Sequence, residues 1–422
     1  MESDKIKRNL RKLKDSPLFI LSLGSKELFH SNFLYGLINA GVLGTLDGKN
    51  ITGRELFTKA FNIISEKPVV PTGNWEAKRE KMNFDLSLWE NEKVVSKKGK
   101  EEIKEKCVLV IENKMKSVPR ASQIQDYQNK FKDKNESVPN FVLLTLMENF
   151  PDREKIEGLG CEILSYRQLA YQLAYEIKNI KFSNEYFHLL IEDYCNFVLL
   201  LSGIGEDDKI SKKKNLMLDF DKQFDELGIL QLMQALRVGE LYSLIHYELD
   251  KDKKYKDIKF NTGYGRNGGA FLEIFYACGE GRDNETGKEQ EKEDKKGFEE
   301  PSHRSIGIQI QDNRYSHFVC PLDNAQKDLE NVKKKFKGFF ALSNKQFPEL
   351  ISGGNISFDK NNSGDNKILL SFQSKKEGYQ PRFAYQYAVI PQDADYGLIV
   401  DQVVKDIDFI LDNFNEKDLE NK

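Results

Sequence analysis

The sequence predicts an α/β fold, a mixed sheet flanked by helices, followed by a C-terminal α+β domain. Three observations carry this expectation. Residues 107–111 and 141–146 are continuous apolar runs of strand length, the second reading as a buried central strand. Around them lie segments with apolar residues at three- and four-residue spacing, the mark of helices packed on one side. From Ile258 onward the pattern changes to a succession of strand-length segments that ends in a helix.

Taken in order, Glu27-Leu28-Phe29-His30-Ser31-Asn32-Phe33-Leu34 opens an amphipathic helix, with Phe29, Phe33 and Leu37 on its buried side. His30 is expected to brace this helix by bonding a neighbouring backbone group, and Ser31 to pack it. In Asn83-Phe84-Asp85-Leu86-Ser87-Leu88, alternation puts Phe84, Leu86 and Leu88 on one face of a strand and Asp85 on the other. The strand at 107–116 ends in Glu112 and Lys114, two positions apart, so both side chains leave the same face. Paired antiparallel, these two strands bring Asp85, Glu112 and Lys114 together.

The long interval between them interleaves Lys93, Lys97, Lys98, Lys100, Lys104 and Lys106 with Glu92, Glu101, Glu102 and Glu105. With few apolar residues to bury, it predicts a protruding charged hairpin, whose lysines could contact phosphates if it stood near the site. Gln123 and Tyr127 then share one face of a helix, and residues 161–178 carry a short strand and a helix marked by Tyr166, Leu169, Leu173 and Ile177.

Residues 182–203 read as an aromatic-rich helix, 203–214 as a polar break, and 216–249 as a second long helical region. Strands are expected at 270–276, 305–311, 315–320, 368–372 and 382–390, with helices at 323–339 and 396–414 and a charged loop at 279–303. Gly263-Tyr264-Gly265-Arg266-Asn267-Gly268 fits a dinucleotide-binding pattern only formally, because it precedes a strand instead of opening a helix; it reads as a hairpin turn, with Arg266 able to meet a ligand. The domain organisation expected is therefore 1–180 core, 181–250 helical connector and 251–422 α+β domain.

Composition narrows the function classes. A chain of 422 residues, 39% hydrophobic and 31% charged, suggests two or three soluble domains. No stretch is expected to approach the ~20 apolar residues of a membrane span, and the first residues are too charged for a secretory signal, so a cytoplasmic protein without membrane partners is expected. Five scattered cysteines, with no Cys-x-x-Cys pair, argue against zinc and iron–sulfur sites and for reduced thiols. A net charge of −3 means that any nucleic acid must be held by local patches, of which Lys5, Lys7, Arg8, Arg11, Lys12 and Lys14, and Lys212 to Lys214, are the candidates.

Phosphodiester cleavage needs a hard divalent cation held by few carboxylates, with positions left for a phosphate oxygen and an attacking water. Asp85 and Glu112 supply carboxylates, the backbone carbonyl of Asn113 a third donor, and Lys114 an ammonium that can orient water or stabilise transition-state charge. Asp85 with Glu112-Asn113-Lys114 resembles the signature of the PD-(D/E)XK nuclease superfamily, although Phe84 stands where the signature has proline. Glu27 to Leu34 is similar to the E-x-x-H-S-x-x-L helix of a bacterial subgroup, and Gln123 with Tyr127 to the Q-x-x-x-Y helix of RecB-type and phage-exonuclease-type members. Glu-x-Lys alone is a common solvated pair; the order of all these elements is what identifies the resemblance.

The resemblance covers roughly residues 20 to 175. It implies a restriction-endonuclease-like core, a magnesium- or manganese-dependent nuclease, Glu27 facing the metal, and Gln123 and Tyr127 holding phosphate or bracing Lys114. It further implies nucleic acid as partner, DNA in preference to RNA, and a setting such as restriction or phage defence. A catalytically silent binding module on the same fold and an RNA-directed toxin nuclease are the rival expectations. The C-terminal domain is expected to serve recognition, a protein partner or homo-oligomer assembly.

Overall fold

The computed structural model describes residues 2–21, 27–95, 101–205, 211–265, 268–277, 305–320, 334, 336, 339, 369–375 and 378–414. They group into two compact units, Met1–Lys209 with Phe224–Leu236, and Ile210–Gln223 with Arg237–Lys422. Residues 181–250 are thus divided between the units, and the helix Leu230–Leu249 begins in the first and ends in the second.

The first unit is built on a five-stranded mixed sheet whose spatial order follows the chain: Trp75–Lys78, Leu86–Val95, Glu101–Lys114, Asn140–Thr145 and Cys161–Ser165. The first three strands pair antiparallel and the last two join in parallel, each after a helical crossover. Burial follows the sequence pattern. Phe84, Leu86, Leu88, Leu109 and Ile111 are excluded from solvent, and Asn140–Thr145 is buried from its second residue on. Helices Glu27–Asn39, Gly53–Ile64, Tyr166–Ile177 and Glu185–Gly205 pack in succession, and Glu27–Asn39 also meets the central strand Glu101–Lys114.

Two details position the site. Leu86 opposes Ile111, so the strand begins one residue after Asp85 and not before it as the alternation suggested. Lys81–Asn83 forms a tight 3-10 turn with Met82 and Asn83 at φ 60° and 64°, which delivers Asp85 on the shoulder of the strand, opposite Glu112. The second detail concerns the hairpin, which is long and charged as expected and pairs out to Val95 and Glu101. Beyond Glu90 no third strand among the described residues supports it, because Trp75 already pairs with Glu90. It therefore protrudes, but from the end of the sheet opposite Asp85. At ~3.3 Å per residue, Lys93 lies roughly 25 Å along the strand from the carboxylates, so Lys93 and Lys104 are not at the mouth of the site; Lys97, Lys98 and Lys100 lie outside the described residues.

Helix Glu185–Ile204 is long and apolar enough to cross a membrane by length and hydropathy, which the sequence reading did not anticipate. In the fold it packs against helices Glu2–Asp15 and Tyr166–Ile177 and buries Ile191, Tyr194, Phe197, Val198 and Leu201.

The second unit holds a six-stranded antiparallel sheet in the order Leu369–Lys375, Gly378–Val389, Arg314–Cys320, Ser305–Gln311, Ala270–Ala277 and Ile258–Tyr264. Helix Tyr396–Asn413, capped by Asp395 through its bond from the Leu398 N–H (2.8 Å), buries Ile399, Val400, Val403, Ile407 and Ile410. Every strand expected from the pattern is present within a few residues. The single helical region expected at 216–249 is broken, because Gly228 adopts φ 69° after the short helix Asp221–Glu226. The glycine-rich segment is a turn: Tyr264 pairs with Ala270 and the Gly265 N–H donates to the Gly269 carbonyl. Arg266, the loop at 279–303 and all but Lys334, Phe336 and Phe339 of the expected helix at 323–339 lie outside the described residues.

Because Lys93 and Ile103, paired far out along the hairpin, stand away from the carboxylates, replacing residues 93–103 by a two-residue turn is expected to leave cleavage of short oligonucleotides within about threefold of wild type. A loss of more than tenfold in a folded variant would show that the hairpin reaches the substrate.

Candidate active site

The site forms where four elements of the first unit meet: the turn before Leu86, the C-terminal end of Glu101–Lys114, and the first turns of helices Glu27–Asn39 and Ala121–Lys132. The backbone N–H of Asn113 donates to Asp85 Oδ2 at 2.8 Å, which fixes the Asp85 carboxylate against the strand that carries Glu112. Glu112 is almost fully buried, and its two oxygens have different environments. Oε1 accepts from Lys114 Nζ at 2.7 Å and from Gln123 Nε2 at 2.6 Å. Oε2 is buried with no hydrogen-bond partner.

Gln123 uses its other amide hydrogen on Tyr127 Oη at 2.8 Å, so the pair at spacing four forms a brace as the helix geometry suggested. What it braces is Glu112, and through Glu112 the ammonium of Lys114. Tyr127 sits under the ring of Phe84 and beside Glu112; burial and that carboxylate push its phenol well above the ordinary range. Glu27 accepts the backbone N–H groups of Ser117 (3.1 Å) and Lys116 (3.4 Å), tying the helix that bears it to the turn after the strand. Its charge is also felt by Asp85 and Lys114.

The electrostatics follow from this crowding. Burial, then the neighbouring Glu112 charge, raise the Asp85 carboxyl to about 7, against the bond from Asn113. Burial works against the charge of Lys114, but Glu112, Glu27 and Asp85 outweigh it and the pKa is raised, so this amine is a protonated donor at neutral pH.

These residues fit a divalent cation. A buried carboxylate oxygen without a donor, beside a second carboxylate whose ionisation is suppressed by burial and then by the first, is a pair that positive charge would satisfy. The donor set is small, and among the described residues no group of three or more His, Cys, Asp or Glu forms a metal cage. An open site of two carboxylates and a carbonyl is what a catalytic ion that must share its shell with phosphate and water requires.

Sequence reasoning missed two residues here. Ser31, expected only to pack the helix, accepts from Asn113 Nδ2 at 2.6 Å and donates to the Glu27 carbonyl, so it orients the residue whose backbone holds Asp85. Tyr166, read as one residue of an apolar face, is fully buried, and its partnerless hydroxyl lies in the field of Asp85, Glu27 and Glu112. Nothing in its spacing distinguishes it from a core tyrosine. His30 does brace its helix, but through the side chain of Tyr194 (3.0 Å) in a cluster with Phe29, Tyr166 and Phe197, and burial lowers it to about 3. It is a neutral core histidine. Cys107, Cys161 and Cys195 are buried free thiols.

A family model described as the PD-(D/E)XK nuclease superfamily matches residues 17–196. This part of the chain is similar to that superfamily, and it contains Glu27, Asp85, Glu112, Asn113, Lys114, Gln123 and Tyr127. No curated protein and no solved structure matches the chain.

The raised Asp85 pKa has a stability consequence in the metal-free protein. The charged form is penalised only in the folded state, so the penalty is absent below the unfolded pKa near 4, grows between there and about 7, and is complete above it. Asp85→Asn is therefore expected to stabilise the protein in EDTA at pH 8 by on the order of 1–3 kcal/mol, with the gain vanishing at pH 4. Thermal or urea unfolding at both pH values reads this; a destabilised variant at pH 8 would contradict it.

Proposed function

We propose that the chain is a metal-dependent nuclease that hydrolyses phosphodiester bonds, acting on DNA in preference to RNA. The observation that carries this reading is the division of Glu112, with Oε1 held by Lys114 and Gln123 and Oε2 left without a donor next to Asp85. Asp85, Glu112 Oε2 and the Asn113 carbonyl would hold magnesium or manganese, which supplies Lewis-acid polarisation of the phosphate and a more acidic water.

The remaining work falls to the chain itself. Lys114, kept protonated by three carboxylates, donates to the attacking water or to the phosphate oxygen on which negative charge builds. Gln123 and Tyr127 keep Glu112 from rotating, so the ammonium and the bare oxygen stay on opposite sides of one carboxylate. Glu27 fixes the turn after Lys114, and Ser31 fixes Asn113. Each is a positioning role, because each acts through another group. Buried thiols fit a reducing compartment, and restriction or phage defence is the biological setting that the family suggests. For the C-terminal sheet and its helix, which have their own core, recognition of substrate, of a protein partner or of a second copy is the role proposed.

Purified protein with labelled single-stranded DNA, duplex DNA and RNA, in magnesium and in manganese, tests the reading. Cleavage is expected only with metal, to be abolished in Asp85→Ala and Glu112→Ala, and to fall on the order of 10²-fold in Lys114→Ala with metal affinity retained. Wild-type cleavage by either carboxylate variant would reject the site.

A further inference from the structure

Away from the carboxylates, the first unit contains a cleft of about 630 Å³ between three helices. One wall is helix Glu2–Asp15, the charged segment that the sequence singled out and that the active site does not use. Its Ile6, Leu10 and Leu13 are buried, which turns Lys5, Asn9 and Lys12 toward the cleft along a single stripe, while Lys7, Arg11 and Lys14 face elsewhere. The facing wall is the start of helix Tyr166–Ile177, with Arg167 and, one turn on, Tyr171. The Arg167 guanidinium lies 5.8 Å from the Tyr171 ring, which is 54% exposed. The floor is helix Glu185–Gly205, where Asn196, Leu199 and Gly203 succeed one another, and a Cβ at Gly203 would meet the Asn9 amide.

The walls are held in place. Asp193, from the floor helix, accepts from Ser16 Oγ (2.9 Å) and the Leu18 N–H (3.0 Å), which pins the junction of the first two helices. Asp15 and Asp193 also border the cleft, so its charge is mixed; three cations, Lys5, Lys12 and Arg167, stand against these two carboxylates.

We infer that this cleft, with Lys5, Lys12 and Arg167 on its walls and Tyr171 exposed beside them, is a second nucleic-acid site that holds a single-stranded segment, an inference that rests on the nuclease reading. The cations meet phosphates and Tyr171 stacks on a base. Lys5 and Lys12 are separated by about 10 Å along the helix, so they would meet different phosphates of one strand. A duplex keeps its bases stacked inside and offers none to Tyr171. Arg167 follows directly after Tyr166, whose hydroxyl is in the field of the active-site carboxylates, so the cleft and the active site share a helix.

The test is fluorescence anisotropy of the full-length protein in EDTA, where cleavage is suppressed, with a labelled single-stranded 20-mer and the corresponding duplex at several salt concentrations. Lys5→Glu/Lys12→Glu/Arg167→Glu is expected to weaken single-strand binding at least tenfold and to make the slope of log Kd against log salt shallower by about 2. Tyr171→Ala should weaken binding severalfold with the slope unchanged. Lys7→Glu/Arg11→Glu/Lys14→Glu, the same charge change on the other side of the helix, should cost less than threefold. Equal losses in the two triple variants would mean bulk charge and no site; an equal loss for duplex, or no binding by the wild type, would equally overturn the inference. Metal-dependent cleavage by wild type and its loss in Asp85→Ala, measured on the same preparations, report on the nuclease reading separately. Melting curves confirm that each variant is folded.

Discussion

The hydrogen bond from the Asn113 N–H to Asp85 is the interaction on which the site depends, and it exists only in one register of the central hairpin. On the side near the carboxylates Leu88 opposes Leu109, whereas on the side of the tip Trp89 opposes Cys107. An extra residue, Val108, is accommodated between them as a bulge. If the outer register ran on unbroken, Asp85 would face Ile111 and the carboxylates would leave opposite faces of the sheet. The bulge lets the long hairpin twist outward while the inner ladder keeps the pairing that the chemistry needs.

A comparison within the molecule shows what sets Glu112 apart. In the second unit Asp406 is also buried, but it accepts from Tyr315 Oη at 2.6 Å, lies 2.7 Å from His317 Nε2, and receives Gln402 at 3.0 Å. Both of its oxygens are engaged by the protein, as a carboxylate that only holds the fold together should be. Glu112 has two donors on one oxygen and none on the other. Burial alone does not separate the two residues; the distribution of donors does.

Much of this was legible in the sequence because local chemistry dictates it. Alternation around Phe84, Leu86 and Leu88, and the two-residue offset of Glu112 and Lys114, fix which side chains share a face before any pairing is known. The strands of the C-terminal sheet could be read for the same reason, each being a short β-prone segment between polar breaks. The direction of the hairpin was not legible, because charge content does not say at which end of a strand pair a site stands. Nor was the small strand Lys181–Phe182, whose pairing with Val42–Leu46 depends on a contact between distant segments, with Gly44 so close to the Lys181 carbonyl that a side chain would not fit; the hairpin of Val42–Leu46 with Lys49–Thr52, by contrast, turns on Asp47-Gly48, a local signal that the reading passed over. Ser31 and Tyr166 escaped because their roles come from what lies opposite them in space, and a hydroxyl on a helix carries no periodic mark.

On the proposed reading, the bare oxygen of Glu112 would also make the protein a sensor of its own cation. Without a cation, folding must bring two carboxylates together at a cost, so the metal-free protein is under electrostatic tension localised at one point. Any ion that fits there relieves the tension and binds the folded chain alone, raising the melting temperature by mass action. The rank order of ions in a simple melting series would then describe the size of the site and the hardness of its donors, with no substrate in the tube.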